Sequence, residues 1–195
     1  MFFKALKRKP ASDSEPVRLH AALAVLPVKI GDQDAEDVFA RPLAQQLLAT
    51  GLGTVTGAHK RYAKSGESHA VALEMSLVRA DLGTLKEVAR LLEHLDAPLG
   101  SSIFFTETGT THLFGRTEGL GIFADATLGE DDRFALLEAC TDALGADAVY
   151  QGSAIVDKNH VFYFYGDSFN TMQNALSYVM RHDPRCSGAF ARRLT

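Results

Sequence analysis

Seven histidines and two cysteines are the residues of this chain most able to ligate a metal or attack a substrate: His20, His59, His69, His94, His112, His160, His182, Cys140 and Cys186. Zinc and iron sites draw ligands from one helical turn or a tight loop, so His-x-x-x-His or Cys-x-x-Cys spacing is the local signature. Neither spacing occurs. Cys186 follows Arg185 and lies five residues after Arg181, cations that would favour a thiolate, but no base partner is set beside it in sequence. The glycine-rich stretch Thr50-Gly51-Leu52-Gly53-Thr54-Val55-Thr56-Gly57 follows a helical pattern and precedes a strand pattern. A phosphate loop needs the reverse order, so the stretch reads as a helix stop. The residue types predict no catalytic residue, no metal ligand and no cofactor site, and binding is the expected mode of action.

The chain has 195 residues, 46% hydrophobic and 23% charged, enough for one large domain or two small ones with real cores. Two cysteines make no disulfide framework, which predicts a reducing, cytoplasmic setting. The net charge of −4 hides an asymmetry. Lys4, Lys7, Arg8 and Lys9 stand in the first ten residues without an acid, and the remainder carries 16 basic against 24 acidic groups. An acidic body repels phosphate backbones, so nucleic acid is not the expected partner, and a basic protein surface is the better one. No run reaches the ~18 apolar residues of a membrane span. Phe2, Phe3 and Leu6 beside the four cations could make a weak contact with an anionic membrane surface, although a solvated leader is the simpler reading.

Organisation comes from a repeat. Leu82 to Asp96 aligns without a gap, 87 positions on, with Phe169 to Asp183. Each segment follows a strand pattern opening on a histidine, His69 or His160, and is followed by a proline and another strand pattern. The first copy reads as a strand from His20 to Leu26, a helix opened by Asp32 or Asp34 and stopped by Gly51, a hairpin from Thr54 to Tyr62 and His69 to Val78, a helix capped by Asp81, and a strand from Ser101 to Phe105. Pro42 either divides the first helix or moves its start nearer Ala40.

The second copy reads as a strand from Leu120 to Thr127, a helix from Glu130 to Leu144 with Phe134, Leu137, Ala139 and Leu144 on its buried side, a hairpin from Ala148 to Val156 and His160 to Tyr165, a helix capped by Ser168, and a strand from Gly188 to Leu194. Thr111 to Gly115 reads as an extra strand. The predicted fold is α+β: tandem ferredoxin-like (βαββαβ) repeats, antiparallel sheets with helices on one face. The expected boundaries are 1–18 for a flexible basic leader, 19–106 for the first repeat, 107–118 for a connecting hairpin and 119–195 for the second repeat.

In such a fold one face of each sheet is left without helices. His160 to Tyr165 is apolar or aromatic on both sides of its strand, so something must cover the second side. The simplest cover is the other repeat or a second chain. The functional alternative is a platform of Phe123, Asp125, Tyr163 and Tyr165. Aromatics at these positions resemble the stacking face of RNA-recognition modules, but Lys158-Asn159-His160-Val161 stands where those modules carry a basic and glycine-containing run.

Phe162-Tyr163-Phe164-Tyr165-Gly166-Asp167, followed by a helix and Pro184-Arg185-Cys186-Ser187-Gly188-Ala189, resembles an uncharacterised bacterial domain family. Val149-Tyr150-Gln151-Gly152 resembles the tyrosine-glycine turn of protein inhibitors that regulate a bacterial ribonuclease. The resemblance spans the last ~50 residues, transfers no binding residues, and implies a bacterial regulator or immunity-type inhibitor without catalysis. The expected function is therefore a non-enzymatic binding protein acting by protein contact. Its alternatives are a small-molecule or RNA platform, and a hydrolase or transferase whose site would gather residues far apart in sequence.

Overall fold

A computed structural model describes residues 18–64 and 66–194. The expected basic leader therefore falls outside the described residues, apart from Arg18. The described chain forms two antiparallel sheets, each with two α-helices. Strands β1 (His20–Leu26), β2 (Gly53–Tyr62), β3 (Ser68–Leu77), β4 (Ser101–Phe105) and β5 (Thr111–Phe114) form the first sheet in the order β2-β3-β1-β4-β5. Strands β6 (Glu118–Asp125), β7 (Ala148–Val156), β8 (Asn159–Gly166) and β9 (Phe190–Arg193) form the second in the order β7-β8-β6-β9. Counted within each repeat, both orders are second-third-first-fourth, the ferredoxin-like arrangement, with β5 added to the outer edge of the first sheet. The protein is a tandem ferredoxin-like α+β fold.

The local signals explain the helices. In α1 (Arg41–Thr50) Pro42 occupies the first turn, where a missing N–H costs nothing, and Gly51 ends the helix in left-handed backbone at φ 66°. A single wide π-type turn, Glu36–Ala40, precedes it and buries Phe39, so Pro42 divides the expected long helix into two parts. Asp81 caps α2 (Leu82–Glu93) by accepting from the Thr84 N–H at 2.8 Å, and Ser168 caps α4 (Phe169–His182) from the Thr171 N–H at 3.3 Å. The 87-residue offset between the starts of α2 and α4 is the sequence repeat itself.

Helix α3 (Glu130–Leu144) has the expected bounds and a rotated face. It buries Leu136, Cys140 and Leu144, one every turn, whereas Phe134 is 69% exposed. The expected Phe134 stripe is corrected by geometry: Phe134 lies too far round the helix from the Leu136–Cys140–Leu144 line to share its contact with the sheet.

On the first sheet, Ala22, Ala24 and Leu26 of β1 pair with Met75, Leu73 and Val71 of β3 and meet the helices. That core takes in Leu43, Leu47, Leu85, Val88 and Leu92, then continues into Phe123, Val161, Tyr163 and Tyr165 of the second sheet. The helices of the second repeat close a separate core over Leu120, Ile122, Phe162 and Phe164, which lie on the opposite face of the same strands. The two repeats thus share one core along the helix-free face of the second sheet.

Candidate interaction surfaces

The residues expected to form an open platform lie at the junction of the repeats. Tyr163 is fully buried, Tyr165 is 2% exposed and Phe123 is 5% exposed. Register places them together: Gly121 pairs with Tyr163, Gly119 with Tyr165 and Phe123 with Val161, so all three side chains project from the face opposite the helices. The first repeat covers them with the chain leaving β1 and the turn entering β3. The Lys29 N–H donates to the Tyr165 hydroxyl at 2.7 Å, the Tyr163 hydroxyl donates to Glu67 Oε1 at 2.7 Å, and Lys29 Nζ lies 2.9 Å from Glu67 Oε2.

Both buried hydroxyls are therefore partnered inside the chain, as burial of a phenol requires. The expected base-stacking or small-molecule platform is corrected on this point: its aromatic faces are occupied by the first repeat. Phe123 is further stacked on Phe190 at 4.8 Å with planes 3° apart, and the Arg192 guanidinium lies 4.8 Å from its ring centre. Asp125 alone stays exposed. Its carboxylate accepts from the Thr127 N–H and hydroxyl, both at 2.8 Å, which holds its pKa below the usual carboxylate range.

Burial pushes the Tyr163 and Tyr165 phenols well above their ordinary range, and the Glu67 carboxylate beside Tyr163 adds to the effect. For Glu67 burial alone would raise the pKa, but hydrogen bonds from Lys29 and Tyr163, with the charges of Lys29 and Arg192, outweigh it and lower the pKa from 4.5. A carboxylate with a depressed folded pKa contributes stability that is complete above its unfolded pKa and is lost as pH falls through the folded value. The expected result is that Glu67→Gln weakens the protein at pH 7 and flattens its loss of stability below about pH 4.5, read from urea melts across that range.

The seam extends along β7. Asp32 and Ser153 exchange two hydrogen bonds, Asp32 N–H to the Ser153 carbonyl and Ser153 N–H to Asp32 Oδ1, both at 2.9 Å. Lys60 Nζ donates to the Gly31 carbonyl at 3.0 Å. Gly31 and Gly152 both have positive φ, 51° and 109°, and a Cβ on either would strike backbone of the other repeat: Ser153 from Gly31, Ile30 from Gly152. Gly152 belongs to the tyrosine-glycine turn singled out in the sequence, and it sits at the bulge between Tyr150 and Ser153.

The other nucleophile and ligand candidates are dispersed. Cys140 and Cys186 are free and buried in the second core. Burial pushes the Cys140 thiol up to about 12 and raises Cys186 as well, despite Arg185, so the thiolate that the neighbouring arginine could favour does not form readily and Cys186 is a structural thiol. Arg185 instead pairs with Asp183. His20 and His59 sit 4.0 Å and 3.5 Å from Glu107 and Glu74, far from each other along the first sheet. His160 lies against Phe162 with ring centres 4.8 Å apart, and burial depresses its pKa. Beside the junction, two pockets of about 170 and 210 Å³ share Thr117 and Tyr165. Small-molecule sites usually begin near ~300 Å³, a size reached instead by two open grooves, one of about 570 Å³ beside Asp125 and Lys158 and one of about 520 Å³ beside Arg79 and Glu87.

Among the described residues, a different surface is left without a cover. The face of the first sheet opposite its helices presents Leu23 and Val25 of β1, Ala70 and Ala72 of β3, Ser102 and Phe104 of β4, and Leu113 of β5. Leu113 is 72% exposed, and Leu23, Val25 and Phe104 are half-buried members of neither core. Glu74 and His59, 3.5 Å apart, and Arg61 complete the face toward β2. The readable signal was β1 itself. His20-Ala21-Ala22-Leu23-Ala24-Val25-Leu26 is apolar at every position after the first, which a strand with one wet face does not need.

No protein-family model and no curated protein matches the chain. Among solved structures it is similar to an unknown protein from Galdieria sulphuraria, at 13% identity over 90% of this chain and 98% of that one, TM-score 0.32. It is also similar to the ligand-free regulatory subunit of aspartate kinase from Thermus thermophilus, at 14% identity over 82% and 92%, TM-score 0.28. A third similarity is to the first two RRM domains of yeast poly(U)-binding protein, at 10% identity over 89% and 99%, TM-score 0.26. Likenesses this slight say nothing of what the chain does. The ferredoxin-like assignment stands on the strand orders.

Proposed function

We propose that the protein is a non-enzymatic binding protein, a regulator or inhibitor that works by protein-protein contact through the helix-free face of its first sheet. One observation carries this reading: Leu23, Val25, Phe104 and Leu113 form a contiguous apolar strip that joins neither core, in a protein whose other helix-free face is fully occupied. Contiguous apolar surface rimmed by charge is the usual mark of a protein contact. The resemblance of the C-terminal residues to bacterial inhibitor domains supports the same class of function, and the cytoplasmic expectation suits it. A photo-reactive residue at position 113 tests the proposal in a lysate of the source cells. The expected product is a discrete cross-linked protein, lost when Leu23→Glu is added. Equal, diffuse labelling from position 113 and from the distant exposed position 134 would overturn it.

A further inference from the structure

Resting on that reading, we infer that the occupant of the open face is a second copy of this chain, held in a two-fold dimer. The two sides of the face differ. Its β1-β4-β5 side carries the large apolar residues Leu23, Phe104 and Leu113, and its β3-β2 side carries the small residues Gly57, Ala70, Ala72 and Ser76 with the polar side chains of His59, Arg61 and Glu74 standing among them. A two-fold axis parallel to β1, the central strand, and midway between two such faces sets β4 and β5 of each copy over β3 and β2 of the other. The apolar side of each copy then meets the mixed side of the other, the same contact twice, as an isologous interface requires.

Charge agrees with a like partner. The acidic body as a whole repels a copy of itself, but this face carries one arginine, Arg61, and one acid, Glu74, which already has His59 beside it. Self-pairing therefore brings no excess of one sign together. The size also suffices. Five strands spaced ~4.8 Å apart and about seven residues long present roughly 550 Å² in projection, and side-chain relief brings this to the ~600 Å² per partner at the lower end of specific interfaces. An interface of this small size fits a dimer that is reversible on dilution.

The test is sedimentation velocity of the full chain from about 1 μM to about 200 μM, a range bracketing micromolar affinity, with wild type, Leu113→Glu and the milder Leu113→Ala. The expected mass of wild type rises from 21.1 kDa toward twice that value. Leu113→Glu weakens association at least tenfold with its melting temperature unchanged, since the side chain is 72% exposed, and Leu113→Ala falls between. In the same samples, photo-cross-linking from position 113 yields a product of doubled mass. A single-chain mass at every concentration overturns the inference. If position 113 then captures a different protein, the binding reading survives without the dimer; if it reaches only residues 1–17 of its own chain, both fail.

Discussion

Tyr163→Ala will lower the stability of the protein by about 3–5 kcal/mol, the cost of deleting a large buried ring from a packed core. It also strands Glu67, which loses the 2.7 Å hydrogen bond from the phenol while keeping Lys29 at 2.9 Å. Tyr163→Phe separates the two contributions: it keeps the ring and should cost about 1.5–3 kcal/mol, the worth of a hydrogen bond to a charged acceptor. Urea melts followed by circular dichroism measure both. An exposed stacking residue would lose well under 1 kcal/mol on the same substitution, so the magnitude alone distinguishes a junction from a platform. Because Tyr163 belongs to the core that runs through both repeats, the Ala variant should also broaden the transition as the repeats begin to unfold separately.

Gly152→Ala will cost about 3 kcal/mol, an unusual penalty for one methyl group on a partly exposed strand. Two effects add. At φ 109° the backbone is one that residues with a Cβ seldom adopt, and the added Cβ would collide with the Ile30 carbonyl across the seam. A backbone carbonyl cannot swing aside as a side chain does, so the seam must open and Asp32 must release Ser153. The control is Gly129→Ala. Gly129 caps α3 in extended backbone with nothing near its Cβ position, so that change should cost only about 1 kcal/mol, the usual loss on placing Ala at a helix N-cap.

Most of the scaffold could be read from the chain because its signals are local. Asp81 and Ser168 cap helices through their own side chains, Gly51 needs left-handed backbone, and the Asp157-Lys158-Asn159 turn places Asp157 at φ 55°. The 87-residue repeat supplied the topology, since one βαββαβ pattern stated twice allows few arrangements.

What escaped depends on contacts between distant segments. That Tyr163 and Tyr165 need a cover followed from the two-sided apolar pattern of β8, and packing of the two repeats was the simplest source. Nothing local says that Lys29 and Glu67, 136 and 96 residues before the tyrosines they bond, supply it. The misplaced Phe134 has a similar cause. Helix α3 is weakly amphipathic, with apolar residues on more than one side, so only the sheet beneath it selects the Leu136–Cys140–Leu144 line. The open face was legible in part, from β1, but its apolar strip is completed by Phe104 and Leu113, which come to it through β4 and β5.

Covalent footprinting of the native protein with hydroxyl radicals, read residue by residue, tests the division between a closed second sheet and an open first one. The account predicts rapid labelling of Leu113 and Tyr178 in dilute protein, with Phe123, Tyr163 and Tyr165 unlabelled until the protein unfolds. On concentration, Leu113 becomes protected while Tyr178 does not. Native labelling of Tyr163 and Tyr165 at rates near that of Tyr178, with Leu113 silent at every concentration, would contradict it.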